Sequence, residues 1–242
     1  MAETVEFAHL SQAELTEFPL ALASLPKLWK LSLRGQIAVA PLPDEIGKFN
    51  KLRWLDLSEL GLGTLPDALA NLNLLEQLYL SDNQLALTPD ILGRLSALTY
   101  LNLDRNLLET LPPSFGNLRA LKWLRLNQNR LSSLPPESAE WAALRRIYLR
   151  ENRFAEFPAA LLELPLLEQL DLGGNPLKDL PAEIDRMSGL QRLDLDHTGI
   201  TVLPETIGDL ENLRHLFLVG CKIPPEEQER LLKVLPDCHI DF

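Results

Sequence analysis

One unit recurs along this chain. Read at Leu98-Thr99-Tyr100-Leu101-Asn102-Leu103-Asp104-Arg105-Asn106-Leu107-Leu108-Glu109-Thr110-Leu111-Pro112, it fits the pattern LxxLxLxxNxLxxLP. The pattern starts at Val5, Leu28, Leu52, Leu75, Leu98, Leu121, Leu144, Leu167, Leu190 and Leu213. The first two steps are 23 and 24 residues, and the next seven are all 23. A unit this short cannot enclose a core alone, so it buries its apolar side against the copies before and after it, which dictates a solenoid. The 242 residues are therefore expected to form one elongated domain. It comprises a degenerate repeat over 5–27, regular repeats over 28–212, and a last repeat with a C-terminal cap over 213–242.

Within each unit the LxxLxL run alternates with period 2, so its leucines face inward and its third, fifth and seventh residues face outward, as in a strand. The proline that follows ends regular hydrogen bonding and starts a return segment such as Pro112–Leu118. After each strand comes a column read as Ala13, Ile37, Leu60, Asn83, Asn106, Asn129, Asn152, Asn175, Thr198 and Cys221. Its asparagines combine one acceptor with two donors on a short arm and suit a ladder that satisfies buried turn backbone. The 24-residue step places an extra residue within Arg34-Gly35-Gln36, as a bulge at the strand exit. Near the end, Ile223–Pro236 carries helix-start prolines and acids, a late lysine and one apolar face, and Cys238–Phe242 alternates as a strand. Together these predict a helix and strand that cover the last repeat.

Return segments such as Leu203-Pro-Glu-Thr-Ile-Gly-Asp-Leu210 and Leu42-Pro-Asp-Glu-Ile-Gly-Lys-Phe49 follow the form LPxxIGxL. With them, the chain resembles the leucine-rich repeat proteins of the 23-residue class, similar to the plant intracellular Ras-group, Scribble-like and bacterial effector repeats. The resemblance covers essentially the whole chain. It implies an α/β solenoid, a right-handed arc with a parallel sheet on its concave face and irregular or short helical segments on its convex side. It also implies partner binding mostly through the concave face and no shared enzymatic activity. Thr88, where leucine precedes the proline, and Ser138 and Trp141, in place of the usual isoleucine and leucine, depart from the pattern.

The outward columns are where function is to be sought, because a leucine core gives no packing reason for their contents. Trp54, Tyr100, Trp123 and Arg146 occupy the third column, Tyr79, Arg125, Tyr148, Asp171 and Asp194 the fifth, and Arg150 the seventh. Adjacent strands about 4.8 Å apart would join Trp54, Tyr79, Tyr100 and Trp123 into an aromatic band continued by the arginines. Aromatic residues and arginine are the types enriched in binding hot spots. The expectation is a site for a protein or peptide on this band, with acidic residues such as Asp56, Asp104, Glu168 and Asp196 flanking it. The alternative is that the rings only stack on one another and shield the sheet.

Other chemistries find little support. A net charge of −11 argues against nucleic acid and anionic membrane surfaces, since phosphate binding needs a basic stripe. No signal peptide or long apolar run is seen, and two cysteines, Cys221 and Cys238, suit a reducing compartment. A cytoplasmic monomer is expected, or a protein secreted into a host cell without a signal peptide of the usual kind. Asp171, Asp194, Asp196, His197 and His215 show no recognised metal-ligand spacing, and neither HExxH, GxSxG nor a phosphate loop occurs. No catalytic residue or cofactor is assigned. The leading reading is a non-catalytic binding module; the alternative is the recognition part of a larger bacterial effector or enzyme, of ubiquitin-ligase type for example, whose catalytic part lies outside this chain.

Overall fold

In a computed structural model of the chain, which describes residues 4–87 and 90–242, the third to fifth residues of each unit form a three-residue strand. These are β1 (Phe7–His9), β2 (Lys30–Ser32), β3 (Trp54–Asp56), β4 (Gln77–Tyr79), β5 (Tyr100–Asn102), β6 (Trp123–Arg125), β7 (Arg146–Tyr148), β8 (Gln169–Asp171), β9 (Arg192–Asp194) and β10 (His215–Phe217). A final strand, β11 (His239–Asp241), follows α1 (Pro225–Val234). All eleven pair in parallel and in chain order into one open sheet. Register is constant: Tyr100 lies opposite Trp123, and Trp123 opposite Arg146. Because side chains alternate along a strand, this register keeps Leu101, Leu124 and Ile147 buried on one side and their neighbours on the other.

The convex side is built from 3₁₀ turns, most of them five residues long and entered through an extended proline, as at Pro112 before Pro113–Asn117. Their apolar residues complete a single core that runs the length of the chain. In the Pro136–Glu140 turn, Ser138 and the following Trp141 are both fully buried. The Trp141 indole N–H donates to the Phe115 carbonyl at 2.7 Å, while the Ser138 hydroxyl has no partner. A large ring thus fills the space beside a small side chain, and one hydroxyl is left unsatisfied. Thr88 falls outside the described residues.

Asparagines satisfy the turn after each central strand. Asn129 donates from Nδ2 to the carbonyls of Leu103 (3.0 Å), Leu126 (3.1 Å) and Asn127 (3.2 Å), and its Oδ1 accepts the Leu108 N–H at 3.1 Å. Asn83, Asn106, Asn152 and Asn175 repeat this arrangement. Past the last asparagine the Thr198 hydroxyl donates to the Leu195 carbonyl at 2.8 Å, and the Cys221 thiol reaches the same carbonyl at 3.1 Å. Both cysteines are free thiols, and burial pushes that of Cys238 up from its ordinary pKa.

The second repeat corrects the expected register. The eighth residue of every unit from the second onward has positive φ, from Gly35 (75°) through Glu59 (60°) and Arg105 (54°) to Gly220 (78°). Gly35 is therefore in step with the others, and no bulge lies within Arg34–Gln36. Gln36, not Ile37, takes the asparagine place: it is buried, and its Oε1 accepts the Leu15 N–H at 3.2 Å, as the asparagines do across the same sequence separation. The extra residue lies beyond it, where a short turn at Ile37–Val39 precedes a cis Ala40–Pro41 bond. A glutamine arm is one methylene longer but carries the same amide.

At the C-terminus the helix and strand lie as expected, with β11 extending the sheet beside β10. Glu227 locks the cap. Its buried carboxylate accepts the Leu203 N–H at 2.9 Å and pairs with Arg230, which also donates to the Leu203 carbonyl. The Arg230 guanidinium holds this carboxyl below its ordinary range. Val5, Ala8, Leu10, Leu15 and Phe18 of the first repeat are only partly buried, with Phe18 packed edge-on to Phe49. No helix among the described residues is long and apolar enough to cross a membrane.

The ladder makes a prediction. Asn129→Ala removes four polar contacts from a buried turn at the middle of the array, so it should lower the unfolding free energy by about 3 kcal/mol or more in urea denaturation. Replacement of the exposed neighbour Gln128 by alanine should not approach that cost.

Candidate functional site

The constant register places the aromatic residues of the outward columns in contact across four strands. Ring centroids are 5.0 Å apart for Trp54 and Tyr79, 4.8 Å for Tyr79 and Tyr100, and 5.9 Å for Tyr100 and Trp123, all tilted. At one end the Lys30 ammonium lies 4.1 Å from the Trp54 ring centroid, and at the other the Arg146 guanidinium lies 4.4 Å from that of Trp123. The expected band is thus present as a stack of four rings with a cation at each end. Each ring has neighbours along the stack, so an incoming group would meet mainly ring edges and the hollows between them. One hollow is bounded by Gln77, Tyr79, Thr99, Tyr100, Lys122 and Trp123. Burial, followed by the influence of Tyr79, raises the Tyr100 phenol to about 12, so its hydroxyl stays protonated at neutral pH.

The arginines expected to extend the band are mostly engaged within the protein. Arg125 donates to Asp104 at 2.6 Å and lies over the Tyr148 ring at 5.2 Å. Arg150 reaches across two repeats to Asp194 at 3.2 Å, with Asp171 at 3.7 Å and Asp196 at 3.8 Å. Gly173 makes this reach possible, because a Cβ there would meet the guanidinium. Asp194 is buried beneath Arg150 and Arg192, the latter 3.6 Å from it. Arg150 of the basic centre and the acidic residues beyond it are therefore one ion-paired cluster. Among the described residues no group of three histidine, cysteine, aspartate or glutamate side chains is placed to hold a metal. The Arg150 guanidinium occupies the space the three aspartates share.

The sequence columns did not disclose a recess of about 720 Å³ over the first five repeats. Asp56, Ser58 and Ser81, all buried, are among the residues that line it. Ser32 donates to Asp56 at 3.4 Å, the Ser58 N–H to Asp56 at 3.0 Å, and the Ser81 hydroxyl to that of Ser58 at 3.1 Å. Lys30, Trp54 and Tyr79 stand along one wall, with Arg34, Glu59 and Arg105 along the other. Arg34 pairs with Glu59 and Arg105 with Asp82, which holds the Asp82 carboxyl below its ordinary range. Serines in the seventh column, Ser58 and Ser81 among them, are the signal that could have located it.

Burial, and then the charge of Asp194, push the Asp171 carboxyl up to about 6. A pKa raised in the folded state stabilises the fold fully below about pH 4, and this contribution is lost as pH rises through 6. Asp171→Asn keeps an acceptor for the Gly173 N–H. The substitution should therefore raise the unfolding free energy by about 2 kcal/mol at pH 7.5 and by almost nothing at pH 4, measured by urea denaturation at both values.

A family model described as leucine rich repeat matches residues 86–131 and 119–177, and a second matches 74–95. No curated protein matches the sequence. The fold is similar to that of an internalin from Listeria monocytogenes, at 22% identity over 93% of this chain and 70% of that one, with a TM-score of 0.77. It is also similar to the ectodomain of the plant membrane receptor kinase GASSHO1/SCHENGEN3 from Arabidopsis thaliana, solved in complex with Casparian strip integrity factor 2. That likeness has 28% identity and a TM-score of 0.76 over 92% of this chain. The chain spans only 28% of the length of that ectodomain. Strands in one register, an asparagine ladder beneath them and these likenesses agree: the chain is a leucine-rich repeat protein.

Proposed function

We propose that this chain is a non-catalytic binding module that holds a protein or peptide against its concave sheet, over Trp54, Tyr79, Tyr100 and Trp123. Arg125, Arg146 and Tyr148 continue the surface, and Arg150, Asp171 and Asp194 form its ion-paired end. The observation that carries this reading is the continuous ring stack on the face that does not supply the core. Trp123 is 39% exposed there, while the core lies on the other side of the sheet, where Leu124 is fully buried. Rings in such a stack are held before a partner arrives, which lowers the ordering cost of binding.

On this face Asp104 is paired with Arg125, and Asp171, Asp194 and Asp196 converge on Arg150. The likeness to a receptor ectodomain solved in complex with Casparian strip integrity factor 2 supports a macromolecular partner. So do the shallow and open hollows of the sheet, which suit an extended surface better than an enclosed small molecule.

The test is capture from a lysate with the wild-type chain and with a Tyr100→Ala/Trp123→Ala double variant. Proteins retained by the wild type should be lost or reduced at least tenfold with the variant, while its thermal midpoint shifts little. Equal capture by both would refute the concave-face reading.

A further inference from the structure

The charge pairing of the concave face leaves two exceptions. Six lysines and arginines occupy the third, fifth and seventh positions of the repeats: Lys30, Arg34, Arg125, Arg146, Arg150 and Arg192. Four have a carboxylate within ion-pair distance: Arg34 has Glu59, Arg125 has Asp104, Arg150 has three aspartates, and Arg192 has Asp194. Lys30 and Arg146 have none among the described residues, and they are the two cations that close the ends of the ring stack. Arg146 also keeps its Nε buried without a hydrogen-bond partner. In a protein of net charge −11 that pairs its other concave arginines, uncompensated cations at both ends of an aromatic surface define a complementary shape.

Resting on the concave-face reading above, we propose that the partner presents an extended peptide segment with an acidic side chain at each end of an apolar stretch. The segment crosses the strands from β2 to β7, one carboxylate on Lys30, the other on Arg146, and its apolar side chains in the hollows beside Tyr79, Tyr100 and Trp123. Lys30 and Arg146 are five strands apart, about 24 Å along the sheet at roughly 4.8 Å per strand. An extended chain covers that span in about seven residues. The partner motif is therefore two acidic residues about seven positions apart with aromatic or aliphatic residues between them. Charge complementarity of this kind fixes the register of a bound chain and speeds its encounter.

The test uses a phage-displayed library of random dodecapeptides, selected against the full chain at low salt, followed by affinity measurement on synthetic peptides with amidated C-termini. Selected peptides should share the spaced acidic pair. Lys30→Ala and Arg146→Ala should each weaken binding about tenfold, and together about a hundredfold, because residues this far apart act independently. Arg146→Glu should abolish binding of the selected peptide and restore it for a peptide in which one acidic residue is changed to lysine. That rescue cannot come from a misfolded variant. Peptides that depend on Tyr100 and Trp123 but not on Lys30 or Arg146 would overturn this inference and leave the concave-face reading standing. Dependence on a free C-terminal carboxylate would overturn the assignment to side chains. No binders, or binders indifferent to Tyr100 and Trp123, would overturn the inference and count against the concave-face reading as well.

Discussion

The amide of a buried asparagine is the interaction on which this architecture depends. Each strand is three residues long, and the chain then turns away into the core, where its carbonyls and N–H groups have no strand partner. Unpaired, each such group would cost about 1–3 kcal/mol, and the deficit would recur at every repeat. Asn83, Asn106, Asn129, Asn152 and Asn175 remove it by linking each turn to the turn of the preceding repeat. Leucines supply the attraction between repeats, but attraction without direction would allow neighbouring units to slip. The ladder fixes the turn, the turn fixes the strand, and the strand fixes which side chains share the concave face.

Because register never slips from Leu52 to Leu213, much of this was legible in the sequence. Tyr100 and Trp123 could be placed opposite one another by counting alone, and the structure sets their rings 5.9 Å apart. The cap was legible for a different reason, since Pro225, Glu226 and Glu227 at one end and Lys233 at the other obey the electrostatics of a helix. Counting failed at Gln36. The template asked for asparagine or a small apolar residue, so a glutamine one position earlier was read as part of a bulge, although its amide does the same work.

The electrostatics were less legible, for reasons of geometry. Column reading treats a side chain as belonging to its own strand and its nearest neighbours. Arg150 escapes that scheme by passing over Gly173 to a carboxylate 44 positions away. An apparently basic surface becomes a neutralised one, and only the pairing pattern separates engaged cations from Lys30 and Arg146. The recess over Ser58 and Ser81 was hidden because small residues define a hollow by what they leave out.

The reach of Arg150 also bears on how the solenoid deforms. Elsewhere the ion pairs of the inner face join only adjacent units, as Arg34 with Glu59 and Arg125 with Asp104 do. Between β7 and β9 a charged arm spans three strands across the inner face, and Arg192 shares the same carboxylate from the far side. Opening the arc there would pull a guanidinium away from a buried aspartate, at a cost that shallow bending of leucine contacts does not carry. The three repeats from β7 to β9 are thus braced as one block, by a contact that skips a unit.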